Sequence, residues 1–324
     1  MTDEVVLPYE KDSQLESLLW QVNEVLHALE VDLVQRFESP RYPVVFIGGT
    51  QRSGTTLAIQ LMRACFKVGY VSNLMARFWM APYIGALLQK ELQGKRLPRE
   101  VEFVSELGTT YGYEGIHEFG FFWQRWFPYN ETHQTSERDM DRIDYAPFRR
   151  ELAAMESVFN APLVFKNPIV FSLNIPALAR LLPTAVFIVC RRDPRYVAQS
   201  TLLSRLEYHG QKEQWFSIKP KEFPELKDLP YEKQIAGQIY YTEKRIDDSL
   251  RQLDNSRYIV VEYRDLCQSP EQQMERVWDL VAGAGYRLSR SGFHPAAFEN
   301  RNIRRIEAEE FQCLEMALAG FDEG

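Results

Sequence analysis

Val44-Val45-Phe46-Ile47-Gly48-Gly49-Thr50-Gln51-Arg52-Ser53-Gly54-Thr55-Thr56-Leu57 decides how this chain folds. A short apolar run of strand type meets two glycines, then a polar loop, then a helix start of small residues from Thr55. Strand, loop and helix in that order present backbone N–H groups and a helix N-terminus to an anion. Gly49 and Gly54 stand five apart, the frame of a nucleotide-binding phosphate loop. Where such a loop carries its lysine this chain has Thr55, and Arg52 lies inside the loop instead. That lysine works on the β/γ-phosphates of a triphosphate with Mg²⁺ beside it, so its absence points to a different phosphate ester.

A second segment narrows the choice. Ala185-Val186-Phe187-Ile188-Val189-Cys190 is another apolar strand run, followed by Arg191-Arg192-Asp193-Pro194-Arg195 and a helix carrying Ser200. Pro194 suits the first turn of that helix. An arginine at the strand end and a serine about two turns into the helix converge on one phosphate group; the alternative is a solvated helix start with local ion pairs. Together, RSGTT (Arg52–Thr56) and RRDPR-x4-S (Arg191–Ser200) resemble the two cofactor motifs of sulfotransferases that use 3′-phosphoadenosine-5′-phosphosulfate (PAPS). The resemblance implies that Gln51, Arg52, Ser53, Gly54, Thr55 and Thr56 hold the 5′-phosphosulfate, and that Arg192 and Ser200 hold the 3′-phosphate. It further implies PAPS as co-substrate and adenosine 3′,5′-bisphosphate (PAP) as product.

Composition sets bounds on partners. The chain has 324 residues, a length normal for a single α/β unit with insertions, so one domain over 1–324 is expected. A net charge of −7 confines any phosphate site to a local basic pocket and argues against nucleic acid as a partner. Cys65, Cys190, Cys267 and Cys313 are widely spaced in apolar contexts and read as reduced core residues. No signal peptide or long apolar segment is visible, so no membrane span and a cytoplasmic location are expected, unlike the Golgi-anchored sulfotransferases.

Residues 13–37 read as an amphipathic helix, with Leu15, Leu18, Leu19, Val22, Leu26, Leu29, Leu33 and Phe37 near helical spacing. The helix after the glycine loop runs from Gly54 to about Phe66. Residues 72–160 are aromatic and irregular, without a periodic strand, and read as a mostly helical, substrate-side insertion. Short strands follow at Pro162–Lys166, Ala185–Cys190 and Tyr258–Val261, and a polar Lys/Pro/Glu-rich loop at about 208–230 is a candidate lid. Apolar runs alternating with helices indicate an α/β fold, a parallel central sheet flanked by helices. That fold is P-loop-kinase-like, and ligands bind beyond the strand C-termini. The resemblance covers Val44–Thr56 and Pro162 to about Val281, including Tyr263-Arg264-Asp265-Leu266, which is similar to the family's YEDL turn.

Sulfuryl transfer needs an anion cradle, a cation near the bridging oxygen and a base for the acceptor proton. Metal is not required, because the moving group is less charged than a γ-phosphate. Lys166, in Phe165-Lys166-Asn167-Pro168, resembles the Lys-x-His segment of cytosolic sulfotransferases and is the candidate cation; a solvated strand end is the alternative. The chain departs from that segment at Pro168, where those enzymes have their histidine base. His117 and Glu118, set among aromatics in Gly115–Trp123, are the candidate bases. His117 is favoured because its ordinary pKa is near neutral, and His209 is the reserve. His27, His133 and His294 read as surface or packing residues. In related enzymes a late basic loop closes over the 3′-phosphate, and Arg301 in Asn300–Arg305 fits that role; a solvated charged face is the alternative.

The leading expectation is a sulfotransferase acting on a hydroxyl or amine of a small or lipid-like acceptor. A P-loop small-molecule kinase and a non-catalytic adenosine-bisphosphate-binding protein are the alternatives. Met75, Phe78, Trp79, Met80, Tyr83, Phe121, Phe122, Trp123 and Trp126 suggest an apolar acceptor pocket, or else a core.

Overall fold

Four short apolar runs and one two-residue strand form one parallel sheet: β1 (Val45–Gly49), β2 (Gly69–Tyr70), β3 (Leu163–Lys166), β4 (Val186–Arg191) and β5 (Tyr258–Glu262). The computed structural model describes residues 12–94, 103, 105, 108 and 110–322. The strands lie in the order β2-β3-β1-β4-β5, every pairing parallel. Alternate residues feed two cores. Phe46, Phe165 and Phe187 enter one, whereas Val45, Ile47, Val164, Val186 and Ile188 enter the other. Both faces are covered, which is why β1, β3, β4 and β5 read as apolar runs without alternation.

Helices α1 (Ser13–Val34), α2 (Thr55–Cys65), α3 (Pro82–Gly94) and α4 (Gly120–Trp126) precede those at Ala146–Phe159, Pro194–His209, Tyr231–Leu250, Pro270–Gly283 and Ala308–Asp322. Residues of α2 and Pro270–Gly283 fill one core; those of α4 and Ala146–Phe159 fill the other. The chain leaves β1 toward one sheet edge and leaves β3 and β4 toward the opposite edge. The sense of the connections therefore reverses at β1, where a crevice opens beyond the strand ends.

Several sequence expectations shift. β2 is only Gly-Tyr, too short to show any periodicity. α1 stops at Val34, and its buried positions are Asn23, Glu30 and Val34, while Leu15, Leu18 and Leu29 are exposed. Polar clamps explain this. Asn23 Nδ2 donates to the Arg77 carbonyl (2.8 Å) and its Oδ1 accepts from Met80 N–H (2.9 Å). Glu30 accepts from Tyr83 N–H (2.6 Å) and Ile84 N–H (3.2 Å), so one buried carboxyl caps α3.

Most of the aromatic insertion is core: Met75, Trp79, Tyr83, Phe122, Trp123 and Trp126 are all buried. The segment expected as a lid is strapped down. Helix Pro194–His209 reaches into it, and Gln238 Nε2 donates to the Phe216 and Ile218 carbonyls (2.8 and 2.6 Å). His133 also exchanges two hydrogen bonds with Lys219. Cys65, Cys190 and Cys267 are buried, but Cys313 is exposed, because its helix packs on the surface. Among the described residues no helix is long and apolar enough to cross a membrane.

Candidate functional site

The loop after β1 takes a path that only glycine permits at two points. Gly49 has φ +141°, and an added Cβ would lie 2.2 Å from the Cys190 carbonyl oxygen of neighbouring β4. Gly54 has φ +101°, and a Cβ there would meet the Tyr263 ring at 2.7 Å. Arg52 also adopts a left-handed φ of 66°. Ser53 is buried and its hydroxyl donates to the Thr50 carbonyl (2.7 Å), closing the turn. Its role here is to shape the loop; it does not face the crevice.

The other loop residues line a crevice of about 920 Å³. Its walls include Gln51, Arg52, Gly54, Thr55, Thr56, His117, Glu118, Lys166, Arg192, Ser200 and Arg301, so eleven of the twelve sequence candidates meet there. The reserve base His209 is not among its lining residues; Glu207 and Tyr208, just before it, are.

Arginines dominate one end. Arg52 Nε donates to the Ser200 hydroxyl (2.9 Å), joining the two expected phosphate motifs directly. Arg192 donates to the Arg52 carbonyl (3.1 Å), the Arg301 carbonyl (2.9 Å) and Asn302 Oδ1 (2.6 Å), and its guanidinium lies over the Tyr263 ring at 4.5 Å. Among the described residues, none of Arg52, Arg192, Arg301 and Arg305 is within ion-pair distance of a carboxylate. Burial, then repulsion from Arg192, presses the Arg52 guanidinium down to about 10. Arg52 and Arg192 are half-buried and Arg301 and Arg305 exposed, and clustered positive charge with no carboxylate partner among the described residues suits an anion. Arg191, one residue away, points elsewhere and pairs with Asp247.

At the other end Lys166 closes β3, 5% exposed, its Nζ 2.5 Å from Glu118 Oε1 and 3.4 Å from the Gly108 carbonyl. Thr56 donates to the same carbonyl (3.3 Å). Asn167 Nδ2 donates to the Glu118 carbonyl (3.0 Å) and so fixes the backbone that presents the carboxylate. His117 also lines the crevice, and it is exposed rather than desolvated. Its Nδ1 accepts from Phe119 N–H (2.9 Å), which puts the proton of a neutral ring on Nε2. A ring in that state donates at Nε2, which disfavours it as a base.

A smaller cavity of about 200 Å³ adjoins, lined by Ala76, His117, Phe119, Gly120, Phe121, Gln124 and Tyr129; His117 and Gly120 border both spaces. Sequence reading missed Tyr263 as the wall over the loop, and Asn167 and Asn302 as positioning groups. The Tyr263–Leu266 segment was singled out but given no contact. Asn167 had one local signal, its place between a strand end and a proline.

A family model described as "Sulfotransferase family" matches residues 43–282. Two curated relatives, each called omega-hydroxy-beta-dihydromenaquinone-9 sulfotransferase Stf3, come from Mycobacterium bovis and Mycobacterium tuberculosis. Each is 26% identical over 257 residues, 73% of this chain but only 62% of the relative's length. Among solved structures, sulfotransferase STF9 from Mycobacterium avium aligns with a TM-score of 0.51 at 16% identity, over 93% of this chain and 72% of that one. Sulfotransferase STF1 from Mycobacterium tuberculosis gives 0.51 at 15%, over 94% and 82%. At such identities the likeness concerns the fold.

Proposed function

This chain belongs to the sulfotransferase family, and on that premise we propose that it moves a sulfuryl group from PAPS to the hydroxyl of a lipid-like acceptor. The observation that carries the reading is the one crevice in which the glycine loop, an arginine cluster without a carboxylate partner among the described residues and the Lys166–Glu118 pair converge. PAPS supplies the activated sulfuryl group. The backbone N–H groups before α2, with Thr55 and Thr56, cradle its 5′ end; Arg52, expected at that end but bonded to Ser200, joins Arg192 and Ser200 on the 3′-phosphate, and Arg301 covers it.

Lys166 neutralises the charge that develops on the leaving 5′-phosphate oxygen. Glu118 accepts the acceptor's proton. The acceptor oxygen–sulfur bond forms as the sulfur–phosphate oxygen bond breaks, and PAP departs. Glu118 is preferred to His117 because its carboxylate always offers lone pairs, whereas the hydrogen bond to Nδ1 makes the neutral His117 ring a donor.

The lipid-like acceptor is supported by the apolar cavity beside the catalytic pair. It agrees with the omega-hydroxylated menaquinone in the name of Stf3. Radiolabelled PAPS offered with hydroxylated lipids, phenols and sugars tests the reading. Label transfer to a hydroxyl is the expected outcome. PAP binding with neither transfer to any acceptor nor slow PAPS hydrolysis would leave only a binding protein.

A further inference from the structure

The residues matched by the family begin at 43, so α1 lies outside them. Yet α1 is fixed firmly to the acceptor side of the molecule. Asn23, fully buried, ties it to the Arg77 and Met80 backbone, and His27 Nδ1 lies 3.0 Å from the Met80 carbonyl. The Glu30 carboxyl joins it to the start of α3. These clamps set Trp20 edge-on against Trp79 (centroids 5.1 Å apart) and against Phe121 (5.6 Å). Phe121 lines the small apolar cavity, Trp79 is buried beneath it, and Trp20 is 45% exposed. Trp20 does not itself line the cavity; held by these clamps, it backs one wall of it through Phe121.

We propose that Trp20 is a specificity-determining positioning residue. It holds Phe121 so that the cavity takes the apolar body of an acceptor, with the acceptor hydroxyl directed past His117 and Gly120 toward Glu118. The inference rests on the sulfotransferase reading and adds the acceptor class: a hydroxyl at the end of an elongated apolar chain. A sugar would strand its remaining hydroxyls against Ala76, Phe119 and Phe121. A short alcohol would leave the space beside Phe121 unused.

The test uses the full chain, PAPS and a homologous series of linear primary alcohols, with Trp20→Ala and Trp20→Phe beside the wild type. In the wild type kcat/KM should climb with chain length. Trp20→Ala should raise KM about tenfold for the long alcohols, leave the short ones unchanged and keep kcat, and Trp20→Phe should restore most of the loss. PAP affinity, measured by calorimetry, should be the same in all three proteins. An equal loss for short and long alcohols, a fall in kcat, or a preference for sugars in the wild type would overturn the proposal while leaving the sulfotransferase reading intact. Failure of the wild type to bind PAP would instead overturn the reading beneath it.

Discussion

Lys166 Nζ and Glu118 Oε1 stand 2.5 Å apart at the C-terminal end of β3, the lysine almost wholly buried and the carboxylate 38% exposed. The groups assigned to the leaving oxygen and to the acceptor proton are thus paired with each other. On the proposed reading, an anionic donor would compete with Glu118 for the ammonium and so free the carboxylate for the acceptor proton.

Glu118→Gln separates these two roles. It removes the proton acceptor, so kcat should fall about 10²–10⁴-fold. It also frees the Lys166 charge, so PAP should bind as tightly as before or more tightly. His117→Ala should cost less than about tenfold in kcat, since its ring is a donor at Nε2. Steady-state kinetics with calorimetry checks both. A normal turnover in Glu118→Gln with a large loss in His117→Ala would reverse the assignment.

Arg192→Ala removes a guanidinium that donates to Asn302 and to two backbone carbonyls of the arginine cluster. Losing a charge-assisted phosphate contact should weaken PAP binding by about 2–3 kcal/mol, roughly 30- to 150-fold. Circular dichroism should be unchanged. Affinity within twofold of wild type would show that the 3′-phosphate sits elsewhere.

How much of this could be read in advance follows from where each signal lies. Gly48–Thr56 and Arg191–Ser200 are local, each a strand end running into a helix, so loop, sheet and crevice were legible. The insertion was not. Trp123 and Phe121 are two residues apart and equally apolar, yet one is core and the other lines a cavity. Only tertiary packing separates them. The Lys166–Glu118 pair joins residues 48 positions apart, and no spacing rule reaches that far. The Leu-rich pattern of α1 misled for a different reason: Asn23 and Glu30 face inward and bond to backbone groups of residues 77–84, which periodicity in hydrophobicity cannot show.

Gly54→Ala tests the loop geometry. The new methyl would press on the Tyr263 ring and force a side chain to φ +101°, a strain of about 1–3 kcal/mol. PAP affinity should drop by a comparable factor, and Tyr263→Ala added to Gly54→Ala should recover the steric part but not the strain. Unchanged affinity in the single variant would show that the loop does not hold the 5′ end.

Burial pushes the Glu30 carboxyl from 4.5 up to about 7. Its folded pKa exceeds the unfolded one, so the folded state holds the extra proton between those values. Stability should therefore fall as pH rises from 4.5 to 7, by about 3 kcal/mol from this group. His133, pushed down to about 4 by burial, works in the opposite direction. The difference between wild type and Glu30→Gln isolates the carboxyl. Relative to the variant, wild-type stability in urea should decline across that window; a flat difference would contradict the buried, proton-linked cap.

The most direct test of the central claim is calorimetric titration of the protein with PAP and, separately, with Mg·ATP. The proposed cradle draws on backbone N–H groups, hydroxyls and guanidinium groups of residues that line the crevice. PAP should therefore bind with a one-to-one stoichiometry that persists in EDTA, while Mg·ATP binds far more weakly. Tight Mg·ATP binding with no detectable PAP binding would contradict the account and favour a P-loop kinase.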